Sequence, residues 1–120
     1  METTHVVTVF LRHDGDVLLF RRSDEVGSYP GRWGTVAGHA EGDPDEMALR
    51  EIEEETGLDR ESVTLVRRGD PFSVTDSELA VEWVIHPSLF DVATRSVTPN
   101  WETDEVDWTG SDDAAVDRFW

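Results

Sequence analysis

Apolar β-formers open the chain in two runs, residues 6–11 and 17–20, separated by His13-Asp14-Gly15-Asp16. Asp-Gly between two such runs is a strong two-residue hairpin signal, so the chain is predicted to begin with two antiparallel strands. Residues 23–32 are rich in Gly, Pro, Ser and Asp and read as a loop, with Tyr29-Pro30-Gly31 as its turn. Residues 33–37 form a short apolar strand that delivers the chain to Gly38.

The periodicity then becomes helical. At about 100° per residue, Ala48, Leu49, Ile52 and Thr56 share one arc, while Glu51, Glu54 and Glu55 share another. Both ends of this helix are signalled. Asp43 suits the N-cap, Pro44 the first helical position, Asp45 and Glu46 the positive end of the helix dipole, and Gly57 the stop.

Beyond the helix, residues 63–67 and 72–74 read as strand pieces around the turn Gly69-Asp70-Pro71. Residues 79–86 alternate, with Ala80, Glu82, Val84 and His86 on one side and Val81, Trp83 and Ile85 on the other. Residues 89–92 extend or bulge that strand before Thr98-Pro99-Asn100 breaks it, residues 102–108 supply a last strand, and Ser111 starts a brief closing helix. Strands, helix, strands and a short helix predict an α+β fold with a mixed, largely antiparallel sheet.

Composition narrows the picture. With 120 residues, 38% of them hydrophobic, the chain is predicted to be one domain, residues 1–120, around one core. The net charge of −17 comes from 27 acidic residues against 10 basic ones, all of them arginine. This excludes duplex nucleic acid as a partner, since that binding needs many cationic contacts to phosphate. An acidic, lysine-free surface fits a protein of a salt-rich cell, where screening weakens self-repulsion. Cysteine is absent, which excludes a thiolate metal site and a cysteine nucleophile. No apolar run approaches membrane-spanning length and no leader pattern opens the chain, so a cytoplasmic location is expected. His5, His13, His39 and His86 show no zinc-ligand spacing and read as surface or strand-end residues.

Two readings of the acidic helix face are open from its residues alone. It is a solvated face of an acidic protein, or it gathers carboxylates whose Cβ atoms lie roughly 5–6 Å apart around a hard cation, for which Mg²⁺ or Mn²⁺ suits better than zinc. Arg21-Arg22, at the end of the second strand, either solubilises it or holds a phosphate. Trp33 is either a core anchor or a platform for a base, and the same choice applies to Tyr29, Phe72, Trp83 and Trp101.

The run Arg50-Glu51-Ile52-Glu53-Glu54-Glu55-Thr56-Gly57-Leu58, preceded by Gly38, resembles the second half of the Nudix box at every specified position. In the first half, Ala37-Gly38 stands for the usual Gly-Gly, and Asp43 takes the acid position with one residue fewer on each side. The resemblance covers residues 6–108, with its specificity in residues 38–58. It implies a Nudix-type α/β/α sandwich that hydrolyses a pyrophosphate bond in a nucleoside diphosphate linked to another moiety, with Mg²⁺ or Mn²⁺ as cofactor. Carried over to this sequence, it makes Glu54 and Glu55 metal ligands, Glu51 a ligand or general base, and the Gly38 carbonyl a further ligand. Arg50 then orients a carboxylate, Arg21 or Arg22 takes substrate phosphate, and Glu102 supplies a carboxylate from a late acidic loop, with Glu82, Asp104 and Glu105 competing for that role and a solvated acidic loop as the other reading.

Two other uses of the scaffold stand beside this one. A regulatory domain that binds metal or nucleotide without hydrolysis is suggested by the shortened loop, and an isoprenoid diphosphate isomerase is disfavoured by the lack of cysteine. The closing helix is short for the family, which leads us to expect a chain that is trimmed or belongs to a longer protein.

Overall fold

The computed structural model describes residues 1–27 and 29–110. Strand β1 (Glu2–His13) and strand β2 (Asp16–Arg22) meet at the predicted hairpin, where Asp14 and Gly15 have φ of 50° and 83°. Two consecutive left-handed residues are what a type I′ turn requires. The hairpin pairing is short, Arg12 with Val17 and His13 with Asp16. β2 then leaves β1 and runs antiparallel to β8 (Thr103–Gly110).

The edge that β2 vacates is taken by β4 (Val36–His39), whose residues pair from Val6 with His39 to Val9 with Val36. The single strand predicted over residues 33–37 is therefore two, β3 (Trp33–Gly34) and β4, divided at Thr35. Thr35 is buried, and its hydroxyl donates to the Val9 carbonyl at 2.5 Å. Gly38 consequently lies within β4, opposite Val7, rather than in the loop that follows.

The other edge of β1 pairs in parallel with β7 (Val81–Val92), from Glu2 with Val81 to Arg12 with Asp91. β5 (Val63–Arg68) and β6 (Phe72–Asp76) share the far edge of β7. Residues 81–92 thus form one strand through Pro87, with residues 89–92 as its expected extension. Pro87 is tolerated because it faces the gap between β5 and β6, and its carbonyl accepts the Gly69 N–H at 3.0 Å. Leu79 and Ala80 belong to the preceding turn, where Ala80 has φ 53°. The sheet is mixed, and this β1–β7 pair is its parallel element among the described residues.

Helix α1 (Pro44–Thr56) has the predicted bounds. Asp43 adopts the extended N-cap conformation, but its side chain makes no capping hydrogen bond, so its contribution is reduced to charge at the helix start. Asp45 and Glu46 are held instead by Arg68 and Arg60. Gly57 ends the helix at φ 78° with its N–H on the Glu53 carbonyl.

Ala48 and Ile52 carry the helix onto Val7, Val9, Leu11 and Val36, the centre of the buried cluster. Removing each large aliphatic side chain from water contributes about 1.5–3 kcal/mol. Leu49, expected on the same arc, is only partly buried. The closing helix expected from Ser111 lies outside the described residues.

Candidate active site

β4 and α1 are consecutive, and the packing of Ile52 onto the sheet brings the adjacent helix edge against the β4 backbone. Glu51 is the residue on that edge beside Gly38. A β-carbon built on Gly38 would stand 2.2 Å from the Glu51 carboxyl carbon and 2.4 and 2.6 Å from its oxygens. Only glycine leaves room for that carboxylate.

Glu55 lies one turn further along and is 5% exposed. The Ala37 N–H donates to its carboxyl, which also shares a hydrogen bond with Glu51. Burial pushes the Glu55 carboxyl up to about 9, and the hydrogen bond with Glu51 and the charges of Glu51 and Glu102 push the same way. Glu51 is also raised, chiefly by burial, with Glu54 and Glu102 adding repulsion and Arg50 opposing it. Glu55 Oε2 is buried with no hydrogen-bond partner.

Two hydrogen-bonded carboxyls, one buried and one half-buried, must hold a proton between them when no cation offsets their charge, and a hard divalent cation can replace that proton. The orphaned Oε2, the all-oxygen donor set and the glycine-lined space therefore fit Mg²⁺ or Mn²⁺. Glu54 stands differently from the expected convergence. Its side chain is 49% exposed and accepts from Arg50 at 3.2 Å. Among the described residues no three acidic or histidine side chains already form a ligand set.

Glu102 enters from the turn before β8. Asn100 bridges this turn to the helix, donating from Nδ2 to the Glu54 carbonyl at 3.2 Å and accepting the Glu102 N–H on Oδ1 at 3.0 Å. The Thr98 N–H reaches the Thr56 carbonyl at 2.7 Å, and the Ser23 N–H holds the Glu102 carbonyl at 2.8 Å. The sequence places Asn100 at a chain break and at the head of the late acidic loop, with no sign of its contact with the helix. Asn between Pro and an acidic loop is a weak signal, and nothing local connects it to a helix more than forty positions upstream.

A cavity of about 420 Å³ opens beside this cluster, lined at one end by Gly38 and Glu102 and elsewhere by Arg22, Val26, His39, Trp83 and Trp101. Of the expected phosphate arginines, Arg22 lines it, whereas Arg21 is paired with Asp104 at 2.8 Å. Trp33 sits on β3 opposite Arg21, half-buried, and is not part of the lining. His5 and His86, far apart in sequence, meet across β1 and β7 with ring nitrogens 3.0 Å apart.

A family model described as the NUDIX domain matches residues 1–120. The chain belongs to the Nudix family. It is of the Nudix hydrolase type, and its mixed sheet with one packed helix is the α+β Nudix fold. No functionally curated protein matches the sequence significantly.

Several solved structures share the fold. A MutT protein from Methanosarcina mazei Go1 is 23% identical with a TM-score of 0.72, covering 91% of this chain and 78% of that one. A C. elegans Ap4A hydrolase in a binary complex is 17% identical with a TM-score of 0.75, covering 99% and 86%. A bifunctional NMN adenylyltransferase/ADP ribose pyrophosphatase from Francisella tularensis is 18% identical with a TM-score of 0.76, covering 98% of this chain and 36% of that one. No helix among the described residues of the Nudix chain is long and apolar enough to cross a membrane.

Proposed function

We propose that this Nudix chain hydrolyses a pyrophosphate bond in a nucleoside diphosphate linked to another moiety, with Mg²⁺ or Mn²⁺ as cofactor, in the cytoplasm of a salt-rich cell. The observation that carries the reading is the hydrogen-bonded pair of half-buried Glu51, pressed against Gly38, and buried Glu55, next to a cavity that Gly38, Arg22 and Glu102 line. Glu51, Glu55 and the Gly38 carbonyl would hold the cation, joined by Glu54 when it leaves Arg50 and by Glu102 from the turn. When bound, the cation neutralises phosphoryl oxygens and lowers the pKa of an attacking water.

The chain's own residues supply the rest. Arg22 offers a guanidinium to the substrate phosphates, and Arg21 stands on the same strand end. Arg50 fixes the rotamer of Glu54. Glu51 and Glu102 are the two carboxylates available to accept a proton from water, and the raised affinity of Glu51 for protons suits a base.

A second reading, a metal- or nucleotide-binding domain that does not hydrolyse, draws on the Arg50–Glu54 pair and the short loop before the helix. The isomerase reading has no cysteine to use. A panel of nucleoside triphosphates, ADP-ribose, dinucleoside polyphosphates and nucleotide sugars, assayed in molar salt with Mg²⁺ or Mn²⁺, separates these. Metal-dependent phosphate-bond cleavage supports the hydrolase, and binding without turnover across the panel supports the regulatory domain.

A further inference from the structure

We propose that His5 and His86 form a second cation site, with Glu82 as its third ligand, which takes a borderline divalent metal such as Ni²⁺, Cu²⁺ or Zn²⁺ rather than the hard cation of the carboxyl cluster. Nothing in the chemistry of the pair depends on hydrolysis at the other site.

The strand register brings these residues together. β1 and β7 run parallel, with Thr3 opposite Glu82, His5 opposite Val84 and Val7 opposite His86. Alternation along β1 puts His5 on the face that carries buried Val7, Val9 and Leu11, and the register puts Glu82 and His86 on that same face of β7. His5 therefore stands diagonally between them, at the separation that long side chains span in a sheet. Val6 and Trp83 point the other way, into the cavity that Arg22 lines, so the histidines and that cavity lie on opposite faces.

The pair is open to water because β1 runs past the start of the helix. Ala48 and Ile52 cover Val7, whereas His5 is exposed and His86 is half-buried, lining a cavity of about 350 Å³ with Asp43 and Pro44. The Ala40 N–H donates to the His5 carbonyl at 2.9 Å, which fixes the backbone under the ring to the loop that leads into α1.

His5 Nδ1 and His86 Nε2 are 3.0 Å apart, with ring centroids separated by 5.3 Å. One of these nitrogens donates and the other accepts. When the donating ring takes its other tautomer, its proton moves to the far nitrogen and both facing nitrogens carry lone pairs. Neutral imidazoles in that state suit borderline metals, as carboxylates and water suit Mg²⁺. Two nitrogens bound side by side at roughly 2.0–2.1 Å from one metal stand about 3 Å apart, so β1 and β7 already hold this pair at chelating distance. The exposed His5 ring has room to turn its lone pair onto the ion. Glu82 accepts from the Thr3 hydroxyl at 3.4 Å, longer than an ordinary O–H···O bond, so little holds that carboxylate away from the histidines.

The test is calorimetric titration of the full chain with Ni²⁺ in molar NaCl and saturating Mg²⁺, which occupies the carboxyl cluster of the proposed function. One Ni²⁺ per chain is expected. His5→Ala and His86→Ala should each weaken it at least about tenfold, since losing even a group one step out from a metal costs that much. Glu82→Gln should weaken it severalfold, and His13→Ala, at the far end of β1, should leave it unchanged. Ni²⁺ should also raise the melting temperature of the wild-type chain and not that of His5→Ala, whose exposed position lets it report on the site even where His86→Ala loosens the fold.

Equal Ni²⁺ affinity in the wild-type chain and both histidine variants would overturn the site, as would Ni²⁺ binding that Mg²⁺ displaces, which would put the ion on the carboxyl cluster. Wild-type affinity in Glu82→Gln would overturn the third ligand. One Ni²⁺ held by the histidines in a protein that cleaves nothing in the substrate panel would support the site and remove only the hydrolase reading.

Discussion

Gly38 and Glu51 occupy each other's space, with the glutamate carboxylate lying where a side chain at position 38 would begin. Gly38→Ala must therefore push Glu51 aside. The obstacle is the end of a flexible side chain, so the fold should survive with a loss below the roughly 1–3 kcal/mol of core overpacking. Metal-dependent turnover should fall at least about tenfold, as expected for a misplaced catalytic group. Thermal melts together with rate against metal concentration check this, and a variant with normal turnover would separate Gly38 from the site.

Asn100 predicts a different defect. Asn100→Ala breaks both links between the helix end and the Glu102 turn, at about 1 kcal/mol of stability. If Glu102 is a ligand, this variant and Glu102→Gln should both need more metal for half-maximal rate. If Glu102 is the base, the rate at saturating metal should fall with metal affinity unchanged. A Glu102→Gln protein normal in both respects would return the residue to the solvated surface.

The helix was legible because its ends are marked by different residues, Pro44 and Gly57, and its core arc by Ala48 and Ile52. The meeting of the Glu51 and Glu55 side chains was legible from their spacing of four on that helix. Which glutamates turn inward was not. The arc that contains Glu51 and Glu55 also contains Glu54, and the Arg50 four residues before it decides where Glu54 points. The constraint on Gly38 depends on β4 lying beside α1, and the presence of Trp83 and Trp101 around one cavity depends on where β7 and the turn before β8 come together. Neither is written in local spacing. That residues 81–92 run on through Pro87 was not legible either, because the gap between β5 and β6 that accommodates it is a property of the assembled sheet.

The metal-free protein should lose stability as pH rises. Glu55 is raised from 4.5 to about 9 on folding, so across that window the native state holds a proton that the unfolded chain has released. Unfolding then releases protons, and stability falls with pH by up to about 1.4 kcal/mol per unit for one proton. Asp45 and Asp91, held low by hydrogen bonds from Arg68 and Arg12, act in the opposite sense only as pH falls below the ordinary carboxylate range. Melts in chelator from pH 5 to 9 should decline, and saturating Mg²⁺ should flatten the decline. A chelated protein that gains stability over this range would contradict the buried protonated pair.

Salt should stabilise the fold. A net charge of −17 repels itself over a Debye length that grows from roughly 3 Å at 1 M to 30 Å at 0.01 M. The melting temperature should drop on dilution from molar salt, and divalent metal should restore part of the loss by binding the native site. A melt indifferent to salt would remove the high-salt reading.

With Glu54 as the proposed additional ligand, Glu54→Gln should abolish most turnover with little unfolding, since it removes a charge from a half-exposed position and leaves volume unchanged. Near-normal turnover at saturating metal would confine Glu54 to its pair with Arg50.

The most direct test is Mn²⁺ binding followed by the loss of its free-ion paramagnetic resonance signal, in the wild-type chain and in Glu55→Gln. The substitution preserves volume and makes permanent the neutral form that burial favours, so it should fold at least as well without metal. The wild-type chain is predicted to take up Mn²⁺ more readily as pH rises and the pair gives up its proton, and Glu55→Gln to bind at least about tenfold more weakly, the low end of the effect of losing a coordinating partner. Equal Mn²⁺ affinity in the two proteins would contradict the assignment of the Glu51–Glu55 pair as the cation site.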